Sequence, residues 1–138
     1  MRLWHKDLIP VLPQKQLVAQ WRELLAIKGA IDKNGTPNHR LVNKVLDYSL
    51  LHFKAYTQLV YEEMIRRGYQ PSEIKYNSVM NWYSPYFPKW HMSMLVYIYD
   101  LWHNDRYLRQ CYYNLQEKYD CGIVSDEEWK LIEEVVSL

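Results

Sequence analysis

The sequence predicts an all-α protein, one compact domain over residues 1–138 with three or four helices. Three observations carry this. A chain of 138 residues suits a single hydrophobic core, and 49 % apolar residues are enough to fill it. Apolar side chains recur at three- and four-residue spacing through the long stretches, as on the buried face of a helix. Glycines, prolines and one capping signal punctuate those stretches where helices should start and stop.

Pro10 and Pro13 bracket a short N-terminal segment. Leu17, Trp21, Leu24 and Leu25 then place one apolar face on a first helix, expected over about residues 13–27 with Gly29 as its stop. Asn34-Gly35 and Thr36-Pro37 make residues 30–39 a loop. Val42, Val45, Leu46, Phe53, Val60 and Met64 predict a long helix from about Leu41 to Arg67. Arg66 and Arg67 sit at its negative end, and Gly68 is placed to cap it in the left-handed conformation. Pro71, Pro85 and Pro88 make residues 69–90 a loop with at most a short helix. A further helical stretch runs from about His91 to Tyr119, with Asn104-Asp105 as a point of interruption. Cys121-Gly122 breaks the chain. Ser125-Asp126-Glu127-Glu128 then has the form of a capping box, opening a last helix that ends near Val136. No repeat, low-complexity tract or linker divides the chain.

Charge and composition narrow the function classes. The net charge is +1, which is not the strongly basic footprint of a typical nucleic-acid-binding domain. The distribution is uneven: residues 1–54 carry nine Lys or Arg against four acids, whereas residues 55–138 carry eight against twelve. A basic N-terminal half could face an anion, although charge scatter explains it equally well. The 13 Tyr and 6 Trp stand against only 2 Phe. Large aromatics with a polar handle suit a hydrogen-bonded core, and they also suit surfaces on which bases stack. Trp82, Tyr83, Tyr86, Phe87 and Trp90 pose the same choice locally, with packing of a loop against the core preferred. Cys111 and Cys121 lack metal or CxxC spacing and read as reduced packing residues, so a cytoplasmic setting is expected. No apolar run is long enough for a membrane span. His5, His39, His91 and His103 have no recognised ligand spacing, so no metal is expected.

The segment Leu12-Pro-Gln-Lys-Gln-Leu17-Val-Ala19-Gln-Trp21-Arg22-Glu23-Leu24, followed by Gly29-Ala30, resembles the start of the phage-type pyrimidine-dimer DNA glycosylase and abasic-site lyase family, also called endonuclease V. The aromatic-Arg-Glu-Leu run aligns without gaps, and Glu23 lies as far from the chain start as the family's catalytic glutamate. The stretch from Val42 to Arg66-Arg67-Gly68-Tyr69 is similar to the family's second long helix, and Met1-Arg-Leu-Trp-His5 with Leu8-Ile9-Pro10 is similar to a bacterial branch. The resemblance implies an N-terminal arm packed near helix 1. It also implies a DNA repair activity on damaged pyrimidines or abasic sites in double-stranded DNA, with no cofactor.

Such chemistry needs a neutral amine to attack the sugar C1′ and form a Schiff base. An α-amine, with an ordinary pKa of about 7.7–8.0 against about 10.4 for lysine, suits that role. A neighbouring carboxylate stabilises the positive charge that develops and moves protons. By resemblance, Met1 supplies the amine and Glu23 the carboxylate, while Arg2, Arg22, Lys28, His39 and Arg40 contact DNA. Arg2 departs from the family's small second residue, so retention of Met1 is expected, with its amine one residue further out. Gln16 and Ala26 replace a family His and Arg, with Lys28 as a partial substitute for the Arg. Residues 117–138 hold seven acids and two lysines where the family has a basic tail. A non-catalytic member of the same fold, binding nucleic acid, a small anion or a protein partner, is the alternative.

Overall fold

A computed structural model of the chain describes residues 1–83 and 97–137. Those residues form five α-helices and two 3-10 helices and contain no strand. The expected all-α class holds, with more helices than three or four and with shifted boundaries. Tyr86, Phe87, Trp90, His91 and the start of the expected third long helix lie outside the described residues. No described helix is long and apolar enough to cross a membrane.

The arm enters first. Residues 1–5 form no regular element and lead into a 3-10 helix, Lys6–Val11. Helix α1 (Gln14–Asn34) runs straight through Gly29, the stop that the sequence predicts. A glycine inside a helix costs only about 1 kcal/mol. Lys28 and Asp32 pair one turn apart across it, and Ile31 packs on the core beyond it. The true stop is Gly35, at φ +76°, where a residue without Cβ takes the left-handed conformation at no steric cost. At the other end Pro13 offers no side-chain cap. Glu128 of the last helix instead accepts the Gln14 backbone N–H at 2.9 Å.

The expected long helix from 41 to 67 divides in two. Val42–Asp47 is 3-10, Tyr48 is extended, and α2 (Leu50–Arg66) begins afresh with the Ser49 hydroxyl accepting the Leu51 N–H at 3.2 Å. The periodic apolar residues run across both pieces and so hid the break. Ser49 was the signal. Gly68 caps α2 at φ +91°, as predicted. Helix α3 (Glu73–Met80) starts at Ser72, which accepts from Lys75 N–H. Turns and bends over residues 98–104 interrupt the helical stretch as expected, and Asn104 opens α4 (Asp105–Asp120) after the break. The capping box at Ser125 opens α5 (Asp126–Val136), with both of its reciprocal bonds at 3.1 Å.

Helix α1 packs on α2, α3 lies against both, α4 pairs with α5, and the arm's 3-10 helix is wedged between α2 and α5. The arm is therefore core. Leu3 and Leu8 are fully buried, and Trp4, Ile9 and Leu12 nearly so. Each such side chain contributes about 1.5–3 kcal/mol on burial, so an arm of this kind cannot swing free without unfolding part of the core.

Its far end is clamped by charge. Glu63, buried in α2, takes hydrogen bonds from Arg66 and Arg67. Arg67 in turn donates to the carbonyls of Leu12 (2.8 Å), Pro10 (3.2 Å) and Ile9 (3.3 Å). Of these carbonyls only that of Ile9 also takes a backbone N–H, from Leu12 at 3.4 Å, and a guanidinium is shaped to take several at once. Replacing Glu63 by Ala leaves Arg67 half-buried without its counter-charge. Chemical denaturation is expected to show a loss of about 2 kcal/mol, and an unchanged midpoint would contradict the clamp.

Candidate active site

The arm brings the start of the chain to one face of α1. Three helices hold its backbone. Gln20 of α1 accepts the Trp4 N–H at 2.8 Å and donates to the Arg2 carbonyl at 3.0 Å. Tyr56 of α2 donates to the Trp4 carbonyl at 2.6 Å, and Tyr107 of α4 donates to the Leu3 carbonyl at 2.6 Å. Burial pushes both phenols above their ordinary range, so they stay protonated donors.

Beside this seam lies an open, mainly polar cleft of about 310 Å³. It is lined by Met1, Arg2, Trp4, Gln16, Ala19, Glu23, Asn114 and Lys118. Gln16, Ala19 and Glu23 follow one another at helical spacing along α1 and form one wall. Asn114 and Lys118, one turn apart on α4, form the opposite wall. Glu23 is half-buried and makes no hydrogen bond or ion pair with a described residue. Its carboxylate is not consumed by the fold. Gln16 Oε1 is likewise buried without a partner. The Arg2 guanidinium lies 5.3 Å from the Trp4 ring centroid and 3.7 Å from Cys111 Sγ. Burial pushes the Cys111 thiol up, although Arg2 opposes this, so the sulfur is a neutral acceptor and leaves the arginine's charge uncancelled.

Of the residues named from sequence, Met1, Arg2 and Glu23 therefore share one cleft. Arg22 is exposed beside it but is not part of its lining. Lys28 lies elsewhere, paired with Asp32 at 2.8 Å and set over the Trp82 ring at 5.3 Å, while Trp82 Nε1–H bonds the same aspartate at 2.7 Å. His39 uses Nδ1 to accept the Val42 N–H at 3.3 Å, which ties the loop to the first residue of the 3-10 helix. Arg40 is exposed on the same loop. Sequence reasoning missed Asn114, Lys118 and Gln20. The 3.6-residue period that buries Tyr107, Cys111 and Leu115 also turns 114 and 118 to the flank of α4, but no local pattern says what that flank faces.

The histidines have other work. His5 Nδ1 accepts the Asp7 N–H (3.1 Å), His103 Nδ1 the Lys6 N–H (3.0 Å), and His52 Nδ1 the Tyr99 N–H (2.9 Å); His5 Nε2 donates to the His103 carbonyl at 2.9 Å. Among the described residues no group of three or more His, Cys, Asp or Glu is arranged to hold a metal ion.

A profile of the pyrimidine dimer DNA glycosylase family matches residues 1–77, more than half of the chain. No curated protein and no solved structure matches it. The matched region contains the arm, α1 and α2, and hence Met1, Arg2, Gln16 and Glu23. The opposite wall of the cleft, Asn114 and Lys118, lies beyond it.

Proposed function

The chain belongs to the pyrimidine dimer DNA glycosylase family, and we propose that it acts on damaged pyrimidines or abasic sites in duplex DNA through a Schiff base to the Met1 α-amine. The observation that supports this reading is the cleft lined by residue 1, Arg2 and Glu23, whose carboxylate has no partner among the described residues. On an abasic site, the amine adds to the sugar C1′ aldehyde and water leaves. The iminium that results carries its positive charge beside Glu23, which stabilises it and takes or returns protons. Arg2 and Lys118 line the same cleft as the carboxylate, and Arg22 is exposed next to it in sequence; their positive charge suits the flanking phosphates. The target must be unstacked to reach the cleft, since C1′ and its base are shielded within the duplex. The acids of residues 117–138 sit mostly on exposed faces of α5 and disfavour extended contact with DNA on that side.

The reading requires Met1 to be the first residue of the mature chain, with a free amine. Intact mass tests that directly. Sodium borohydride adds hydride to the iminium carbon and makes the link permanent. Incubation with abasic-site duplex and borohydride is expected to convert the wild-type protein to a covalent protein–DNA species. The absence of any such species, with Met1 present and free, would overturn the enzymatic reading in favour of a non-catalytic DNA-binding member of the family.

A further inference from the structure

The arm residues before the 3-10 helix form neither helix nor strand, and no described strand lies beside them. Their backbone groups still need partners, because Leu3 and Trp4 are buried. One side chain supplies most of what a strand would. The carboxamide of Gln20 takes the N–H of residue 4 and gives its own N–H to the carbonyl of residue 2. A residue in a parallel ladder clasps its neighbour through the same two groups. Gln20 is fully buried, and its Oε1 lies 3.1 Å from the Tyr56 hydroxyl, which itself bonds the Trp4 carbonyl.

We propose that Gln20 is a positioning residue that fixes the register of residues 1–4 against α1 and thereby places the terminal amine at Glu23. This rests on the reading of Met1 as the nucleophile. Gln20 and Glu23 are three residues apart on the same helix, so the clamp and the carboxylate share one rigid support. A slip of the arm by one residue would move the amine by up to about 3.6 Å. It would also turn Leu3 outward and drive the Arg2 side chain into the core. The fold therefore permits one register, and the amide of Gln20 selects it at the residue adjoining Met1.

A double-mutant cycle separates positioning from mere stabilisation. Gln20→Met keeps the length of the side chain and removes both bonds. A glycine added before Met1 moves the amine without touching the clamp. Single-turnover borohydride trapping on abasic-site duplex is measured for each alone and for both together. The expected result for Gln20→Met is a tenfold or greater fall in rate at saturating DNA, with half-saturation changed less than threefold. The extension alone is expected to cost a similar factor. The two together should cost far less than the product of the single effects, because a freed arm no longer fixes where the amine falls. Multiplicative losses, or a wild-type rate in Gln20→Met, would overturn the proposal. Should Gln20→Met fail to fold, Gln20→Glu keeps the acceptor for Trp4 but cannot donate to Arg2 when ionised. The same tenfold loss is expected of it, and a wild-type rate would again overturn the proposal. Hydrogen exchange at the Trp4 amide keeps the proposal separate from the reaction. If the wild type traps nothing, the amine reading fails. Loss of Trp4 protection in Gln20→Met would then sustain the register role, and unchanged protection would remove it.

Discussion

Glu23→Gln lowers the trapping rate on abasic-site DNA at least a hundredfold while leaving the protein folded and able to bind DNA. The two parts of this expectation have separate causes. Removing a carboxylate that shuttles protons and faces a developing cation typically costs about 10²–10⁴ in rate. Gln preserves shape and hydrogen-bonding reach but carries no charge, so the iminium loses its counter-ion. Stability should hardly move, because Glu23 makes no ion pair or hydrogen bond with a described residue and changes at such sites usually stay within about 0.5 kcal/mol. Affinity for duplex should be equal or higher, since a negative charge leaves a cleft that faces phosphate. Stopped single-turnover trapping, thermal melting and a binding titration read the three terms separately. A variant that traps at the wild-type rate would remove Glu23 from the chemistry.

Acid should unfold the protein through its histidines. Burial is the first cause lowering the affinity of His5, His52 and His103 for a proton, and for His103 the result is a pKa of about 2. The hydrogen bonds agree: each ring already accepts a backbone N–H at Nδ1, so an added proton would set donor against donor. His103 Nε2 is buried with no hydrogen-bond partner among the described residues. In the unfolded chain each histidine titrates near 6.5. Between that value and the lower folded one, the unfolded state binds more protons. Stability is therefore fully present above about pH 6.5 and falls as pH drops through the window below it, which for His103 extends to about pH 2. Between pH 6.5 and 5 His103 alone accounts for about 2 kcal/mol, and His5 and His52 act in the same direction. Against a typical total of about 5–15 kcal/mol this is large. Thermal melting at pH 7.5 and pH 5 should show a clear fall in Tm. His103→Asn, whose Oδ1 can accept the Lys6 N–H but does not titrate, should shrink that fall. Equal Tm values at the two pH values would contradict a neutral, buried cluster.

Fold class was legible because periodicity and capping are local. Gly68 and the Ser125 capping box acted where their sequence said they would. The misread boundaries have identifiable causes. Gly29 lies inside α1 because the helix beyond it is anchored by Ile31 and a Lys28–Asp32 pair, while Gly35 provides a cheaper stop. Ser49 was passed over because the apolar period runs unbroken across it, although the backbone changes from 3-10 to extended to α there.

The site was legible only on one side. Arm and α1 lie within a few turns of one another in sequence, and the Trp-Arg-Glu-Leu run marks them. The other wall depends on contacts across about a hundred residues, such as Tyr107 to Leu3 and His103 to His5, which no local pattern encodes. Gln20 was invisible for a different reason. A glutamine on a helix reads as solvated surface, and only the arm lying across it makes it core.

The cleft holds two amines, that of residue 1 and that of Lys118, so the identity of the nucleophile is the sharpest question. Proteolysis of the borohydride-reduced protein–DNA species, followed by mass spectrometry of the modified peptide, answers it. The sugar remnant is expected on the α-nitrogen of Met1. A remnant on Lys118, or on any other lysine, would contradict the account.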